Sequence, residues 1–231
     1  MIGKENMKKF RFWNPVLILS LLFTAPAVLE AGKPMGLVVF KKGRVYLYRG
    51  GKRSVLKKDD LLMARDRIRT GRRAKVSIQF RTGAIFRIGP KSNVTIRSLH
   101  RKSVAMKLGS GSVAGRVKGY RVQITTPTAI AGVRGTEFIV ESSQKKAKVL
   151  VNKGIVEVTN PRGVEKKTVT AGKKVVATTR GLQLSIMQAY EKQKFKIFAE
   201  FNRVKKANIE MLIEQKRRNM EMMNRNKKKL F

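Results

Sequence analysis

The residue types that most often carry catalysis or bind metal ions are scarce in this chain. Its 231 residues include one histidine, His100, and no cysteine, so the usual zinc ligand sets and a cysteine nucleophile are both missing. A Ser-His-Asp triad would have to use His100, and no G-x-S-x-G segment places a serine on a nucleophile elbow. We expect His100 to be a surface residue of a basic turn.

Two further features could do chemistry in principle, and neither has the spacing it would need. Asp59 and Asp60 form a carboxylate pair, but neighbouring strand residues point to opposite faces and two lysines precede them, so we expect solvated turn residues. Residues 109–115 are glycine-rich but lack the G-x-x-x-x-G-K-[ST] pattern of a phosphate-binding loop. The sequence therefore predicts no enzyme, no catalytic residue, no metal site and no bound cofactor.

Short alternating segments separated by turn residues fill residues 36–182, which we define as an all-β domain. Residues 74–80, 93–97 and 121–125 alternate apolar and polar side chains, which places one face of each strand on a core and the other in water. Turn signals recur between such segments, among them residues 109–111 and 153–154. The pattern predicts a short-strand, β-solenoid-like domain, with a β-sandwich as the alternative.

Residues 183–231 have a different character and predict a basic amphipathic helix with a frayed tail. Apolar residues from Ile186 to Ile213 fall on one side at helical spacing, which indicates a helix of about 30 residues that begins near Leu184. Residues 220–231 are rich in Met, Asn and Lys and are expected to fray. The apolar face would pack on the β domain or mediate self-association, and the basic face would suit peripheral membrane contact.

The most specific pattern of the chain lies in residues 126–138, which read Thr-Pro-Thr-Ala-Ile-Ala-Gly-Val-Arg-Gly-Thr-Glu-Phe. It resembles the signature of the FecR family, bacterial envelope proteins named after a regulator of ferric-citrate uptake. Residues 66–71 and 80–92 are similar to two further steps of the family pattern, with Arg81-Thr82 in place of the usual acidic residue. The resemblance covers residues 36–174 and implies an all-β, coiled stack of short strands.

Small residues frame a short turn within this family motif. Gly132 and Gly135 permit backbone angles that a side chain would block. Arg134 and Glu137 carry opposite charges and could pair across the turn, while Phe138 is expected to point inward. The motif either fixes a tight structural corner or forms a partner-docking ridge, and its residues are Thr126, Pro127, Gly132, Val133, Arg134, Gly135, Thr136, Glu137 and Phe138.

The start of the chain has the order of regions found in secretory signal peptides. Basic residues up to Arg11 precede an apolar run over residues 15–23 and then small residues around Ala25 and Ala27. We expect residues 1–31 to be a cleaved signal peptide that exports the chain to the periplasm or cell envelope. The alternative is an uncleaved segment that anchors it in the inner membrane. FecR regulators have a cytoplasmic segment before a membrane span, and the short stretch here argues against that role.

The charge of the chain indicates the class of partner. It carries 53 Lys or Arg and 14 Asp or Glu, a net charge of +39 at pH 7. Removal of residues 1–31 takes away four basic and two acidic side chains and leaves +37. Such a field attracts polyanions at long range, including anionic lipid, acidic polymers and nucleic acid. Export away from the genome and a lack of exposed aromatic residues among the basic ones argue against nucleic acid.

The sequence therefore predicts a non-catalytic binding or scaffold module of the bacterial cell envelope. Its partner would be an envelope protein or an anionic polymer or lipid surface. The alternatives are a component of a transmembrane signalling system of the FecR type and, with least support, a nucleic-acid-binding protein.

Overall fold

The structure is a computed structural model that describes residues 34–100, 103–197 and 206–229, so the expected signal peptide lies outside the described residues. The strands in chain order are β1 Gly36–Lys42, β2 Val45–Arg49, β3 Lys52–Val55, β4 Leu61–Leu62, β5 Arg67–Thr70, β6 Lys75–Phe80, β7 Ile85–Ile88, β8 Asn93–His100, β9 Ser103–Arg116, β10 Arg121–Thr125, β11 Ile130–Ser142, β12 Lys146–Thr159, β13 Lys166–Thr170, β14 Lys173–Thr178 and β15 Gly181–Ile186. The helices are α1 Ala189–Gln193 and α2 Lys206–Lys229. A mainly all-β fold followed by a C-terminal helix is confirmed.

These strands hydrogen-bond into one sheet whose pairings form two runs. The first run has the order β3-β2-β5-β8-β9-β10-β11-β12-β13. The second run has the order β4-β1-β6-β7-β9-β11-β12-β14-β15. The long strands β9, β11 and β12 belong to both runs, because one part of each pairs in the first run and the other part pairs in the second.

Each long strand passes from one run to the other at a glycine with a positive φ. These glycines are Gly111 in β9 (φ 92°), Gly135 in β11 (φ 66°) and Gly154 in β12 (φ 81°). Glycine adopts such angles because it has no Cβ, and at Gly154 a Cβ would lie 2.6 Å from the Gly135 carbonyl oxygen. The turns predicted at residues 109–111 and 153–154 are therefore wrong, because these glycines bend continuous strands instead of ending them.

One apolar core is shared by both runs. Ile68 of the first run and Val76 of the second belong to the same cluster of buried side chains. The rings of Phe80, Phe86 and Phe138 meet edge to face, with centroid distances of 5.5 Å and 6.4 Å between successive rings. Such aromatic contacts add to the stabilisation from burial and fix how the second run packs.

The outward side chains of the two runs differ in exposure. In the first run they are exposed or half-buried, as the alternation predicts. In the second run many are buried beneath the C-terminal segment, in a second apolar cluster formed by Ile85, Ala114, Ile139, Leu150, Met187, Phe195 and Ile197. The prediction that one face of residues 74–80 lies in water is wrong, because Ser77 and Gln79 of β6 are buried as well as the apolar residues of that strand.

The C-terminal segment is not the single helix that the sequence predicts. Strand β15 extends through Ile186, so Leu184 lies in a strand, and six residues of β15 pair in register with β14. Helix α1 has only five residues, residues 194–197 continue as a 3-10 turn, and α2 runs to Lys229 through residues predicted to fray. The backbone groups of β15 hydrogen-bond to β14. The helical spacing of apolar side chains does not reveal such a pairing, because it depends on a neighbouring strand. Ile213 of α2 packs against Leu37 of β1.

Candidate functional site

The first part of the family motif closes the tight turn between β10 and β11. The Thr126 hydroxyl donates a hydrogen bond to the Ala129 carbonyl oxygen at 2.8 Å and accepts one from the Ala129 N–H at 2.9 Å. The Thr126 N–H donates to the same carbonyl at 2.7 Å. Pro127 lies at the corner, and Thr126 and Thr128 are buried. The threonine therefore satisfies the polar backbone groups of a turn that has little access to water.

The second part of the motif forms the crossing of β11 between the two runs. Gly135 supplies the positive φ, and Phe138 points into the core as predicted. The Thr136 hydroxyl oxygen lies 2.9 Å from the Arg134 carbonyl oxygen and 3.0 Å from the Ile155 carbonyl oxygen. The β11–β12 ladder is irregular at this bulge, so the buried hydroxyl makes contacts that the regular backbone pairing does not.

The two charged residues of the motif, Arg134 and Glu137, lie in different runs of the sheet. The Glu137 carboxylate lies 2.8 Å from Nε of Arg116, and both side chains are mostly buried. Arg134 is exposed on the first run, where it pairs in register with Arg121 of β10. The pairing expected between Arg134 and Glu137 is not formed, because the bulge sends the two side chains to different runs. Gly132 lies on the exposed face with Arg134, and Val133 between them points into the core.

The other family-like segments also place polar side chains in buried positions. Asp66 is fully buried and accepts hydrogen bonds from Arg49 at 2.8 Å and 2.7 Å and from the Met63 N–H at 2.8 Å. The hydrogen bond to Asp66 raises the pKa of Arg49. Thr70 donates to the Gly89 carbonyl oxygen at 2.6 Å. The contacts of Asp66 hold the start of β5 to the end of β2.

The exposed face of the first run is basic and free of acidic residues across seven neighbouring strands. Strands β2, β3, β5, β8 and β10 contain no Asp or Glu, and neither do the first-run parts of β9 and β11. We call this surface the basic face, and its outward cations include Arg53, Arg67, Arg69, Lys107, Arg121 and Arg134. The next strand carries Glu157, which pairs with Lys166 of β13 at 2.9 Å and so bounds the basic face on that side.

Residues 66–157 match the family described as FecR protein. This part of the chain is a FecR domain. The match runs from the buried Asp66 to Glu157 and includes the whole of the family motif. No curated protein matches the chain.

Among the solved structures that resemble the chain, two are described as a "putative anti-sigma factor from Parabacteroides distasonis ATCC 8503", at 2.50 Å and 1.65 Å resolution. Each is 15% identical to this chain, with a TM-score of 0.48. The likeness covers 56% of this chain and 63% or 64% of the solved chains, which is less than two thirds of their length.

Two tyrosines lie among the cations at the N-terminal edge of the basic face. The Arg53 guanidinium lies 5.0 Å from the centre of the Tyr46 ring, and that of Arg67 lies 4.7 Å from the centre of the Tyr48 ring. Both rings are half-buried, and such contacts hold the arginine side chains in place. The sequence analysis expected a lack of exposed aromatic residues among the basic ones, and these two rings are half-buried. The outward positions of both tyrosines in β2 follow from the alternation of Val45–Arg49, which would have revealed them.

The described residues offer little for catalysis. Among them, no cluster of three or more His, Asp or Glu side chains could hold a metal ion. His100 ends β8, opposite Ser103. A cavity of about 410 Å³ lies beside Pro127, Arg162 and Arg180, and one of about 300 Å³ lies beside Lys148. Neither cavity is lined by a histidine or by two carboxylates.

A buried carboxylate fastens the C-terminal segment to the second run. Glu191 of α1 lies 3.0 Å from the Lys148 ammonium and 2.6 Å from that of Lys174, and accepts a hydrogen bond from the Gln188 N–H at 2.9 Å. Burial acts to raise the pKa of Glu191, but the hydrogen bonds from Lys174, Gln188 and Lys148 outweigh it and lower the pKa to about 2. In the described parts of the chain, no helix is both long and apolar enough to cross a lipid bilayer.

Proposed function

We propose that this chain is a non-catalytic component of a FecR-type signalling system in the bacterial envelope, in which the β domain binds the partner that the system reports on. The observation that carries this proposal is the FecR domain at residues 66–157. It favours the signalling role over the scaffold role that composition alone favours.

The working surface in this proposal is the basic face. Apart from the edge strand β3, its strands are hydrogen-bonded to neighbouring strands on both sides, and its cations point away from the core. A surface of one charge sign raises the local concentration of oppositely charged partners and speeds their encounter. An anionic polymer, lipid surface or acidic envelope protein therefore fits this face. Export to the periplasm or cell envelope is part of the same proposal.

A passive envelope scaffold is the second candidate, and the basic face also favours it. A scaffold needs an anionic partner and a stable fold but no link to gene expression. The two candidates share their binding surface, and they differ in whether partner binding changes transcription.

Transcript profiles of the source bacterium separate the two candidates. The signalling proposal expects that deletion of this chain changes the transcription of a defined set of genes. Complementation with the natural chain should restore them, and complementation with the Arg69→Gln/Arg121→Gln/Arg134→Gln variant should not. The matched control variant Lys118→Gln/Lys153→Gln/Arg180→Gln removes the same charge from exposed positions outside the basic face and should restore them. Unchanged transcription after deletion, together with loss of a bound envelope component, would leave the scaffold.

The location is tested separately by cell fractionation with N-terminal sequencing of the mature chain. We expect the chain in the envelope fraction, with an N-terminus near residue 32. Recovery of an intact N-terminus in the membrane fraction would favour the anchored alternative, and recovery in the cytoplasm would contradict export.

A further inference from the structure

The register of the first run lines up one outward residue from each of six neighbouring strands. Arg53 of β3 pairs with Tyr48 of β2, and Tyr48 pairs with Arg67 of β5. Arg67 pairs in turn with Thr95 of β8, Thr95 with Lys107 of β9, and Lys107 with Thr125 of β10. We call this line the cation row, and in order it consists of Arg53, Tyr48, Arg67, Thr95, Lys107 and Thr125.

Cations and hydroxyl groups alternate along the cation row. Neighbouring strands lie about 4.8 Å apart, so the cations on every second strand repeat at about 10 Å and the whole row spans about 24 Å. Tyr48, Thr95 and Thr125 stand at the positions between or beside the cations and are half-buried, whereas the three cations are exposed. No carboxylate lies in these strands to neutralise the row. A linear ligand crossing the strands at right angles would meet a positive charge at every second strand.

This periodicity selects among linear polyanions. Each sugar ring of an extended glycan is about as long as the spacing between two strands. An acidic glycan with one carboxylate on every second sugar therefore presents its charges at the period of the row. Single-stranded nucleic acid carries a phosphate on every unit, so its charges do not alternate with neutral groups. A membrane presents anions in a plane, whereas the row is a line.

We propose that the cation row binds an extended acidic glycan that carries one carboxylate on every second sugar. The proposal deepens the proposed function by naming the chemistry of the partner, and it rests on that function only for the envelope setting. Arg53, Arg67 and Lys107 bind the carboxylates, with the arginines able to form paired hydrogen bonds to them. The hydroxyls of Thr95 and Thr125 donate to or accept from the neutral sugars between.

The aromatic residue of the row prepares one of these cations for binding. The Arg67 guanidinium lies over the Tyr48 ring at 4.7 Å. A side chain that is already held loses less conformational freedom when the ligand arrives, which favours affinity. Arg53 is held in the same way over the Tyr46 ring at 5.0 Å, so the loss of either arginine should weaken glycan binding more than the loss of Lys107.

The test uses the full chain and a hyaluronan hexasaccharide, whose uronic acids alternate with neutral amino sugars, in isothermal titration calorimetry. The row variant is Arg53→Gln/Arg67→Gln/Lys107→Gln. The control variant, Arg72→Gln/Lys145→Gln/Arg162→Gln, removes the same charge from exposed positions outside the row. A neutral chitin hexasaccharide, a single-stranded oligonucleotide of the same charge as the hyaluronan, and vesicles of phosphatidylglycerol are the competing ligands.

We expect the row variant to bind hyaluronan roughly tenfold more weakly than the natural chain, and the control variant to lose less than about threefold. The neutral glycan should not bind. Equal losses in the two variants, or no loss in either, would overturn the proposal, because net charge and not the row would then set affinity. Tighter binding of the oligonucleotide or of the vesicles would overturn it in favour of those partners.

The thermal unfolding of each variant without ligand shows whether its substitutions disturb the fold. If the row variant melts early, Lys107→Gln against Lys145→Gln repeats the comparison with one exposed lysine each, with the same order of affinities expected. A failure of the glycan test leaves the transcription test unaffected, so the inference and the proposed function can fail separately.

Discussion

Substitution of Glu191 by glutamine should loosen the C-terminal segment and lower the stability of the β domain. In the natural chain this carboxylate is fully buried and joins α1 to Lys148 of β12 and Lys174 of β14. Glutamine keeps the shape but removes the negative charge. The two lysine ammonium groups then lie close together with no anion between them, beneath the segment that covers Ile139 and Leu150.

The size of the effect depends on how far the lysines can reach water. Removing one partner of a fully buried ion pair costs about 3–5 kcal/mol. The Lys148 and Lys174 side chains remain 21% and 13% exposed, so hydration recovers part of that cost. We expect a loss of about 2–3 kcal/mol. In a domain of this size each kcal/mol lowers Tm by about 2–4 °C, which gives a fall of roughly 4–12 °C.

Differential scanning calorimetry at pH 7 measures this loss, and Glu157→Gln is its matched control. Glu157 also pairs with a lysine, Lys166, at 2.9 Å, but both side chains are more than half exposed. The control should therefore lose under about 1 kcal/mol. Limited proteolysis should cut the Glu191→Gln variant first near residues 187–197. Equal shifts in Tm for the two variants would refute the view that the buried Glu191 carboxylate holds the C-terminal segment to the second run.

The difference in stability between the natural chain and the Glu191→Gln variant should depend on pH, because it rests on the charge of the Glu191 carboxylate. The pKa of Glu191 is lowered from 4.5 to about 2 in the folded chain, so the unfolded chain takes up the proton first as the pH falls. Its stabilisation is fully present above about pH 4.5 and is lost as the pH falls towards 2. The stability gap between the natural chain and Glu191→Gln should therefore shrink over that range. A gap that stays constant down to pH 2 would show that charge is not its cause.

Four further substitutions test the packing and polar contacts of the fold by urea unfolding. Gly115→Ala should cost about 1–3 kcal/mol, because its Cβ would lie 2.6 Å from the Phe138 ring; a neutral result would mean that the ring has room to move. Glu137→Ala should cost about 1–3 kcal/mol and Arg134→Ala under about 0.5 kcal/mol, since only the former breaks a mostly buried ion pair, and the reverse order would contradict the structure. Asp66→Asn should cost about 2 kcal/mol, because it removes the anion from a fully buried hydrogen-bonded site, and a loss within error would show that the amide serves equally well.

Local patterns predicted the strands well where one face is buried and the other is wet. The alternation of residues 121–125 places Val122 and Ile124 in the core, and this is what the structure shows. The burial of the outward side chains of the second run could not be predicted, because the residues that cover this face lie far away in the chain. Alternation cannot show that Ile139 and Phe195 belong to one buried cluster, since that depends on tertiary packing.

The candidate site was predictable in part. The family motif was evident from the spacing of its residues, but the pairing of Glu137 with Arg116 was not, because a bulge decides which run each side chain joins. The basic face follows from alternation in each strand alone. The cation row does not, because the register between strands sets which outward residues stand beside each other.

If the proposed signalling role holds, the three strands that pass through both runs limit how the domain can transmit a signal. Backbone hydrogen bonds continue along β9, β11 and β12 from one run into the other, so the two runs share a scaffold without a joint. Any effect of ligand binding on one run would therefore reach the other run along these shared strands and not through a separate linker. In the proposed signalling role the domain would act as one rigid unit. The conformational change of the switch would then take place in the partner that the domain contacts.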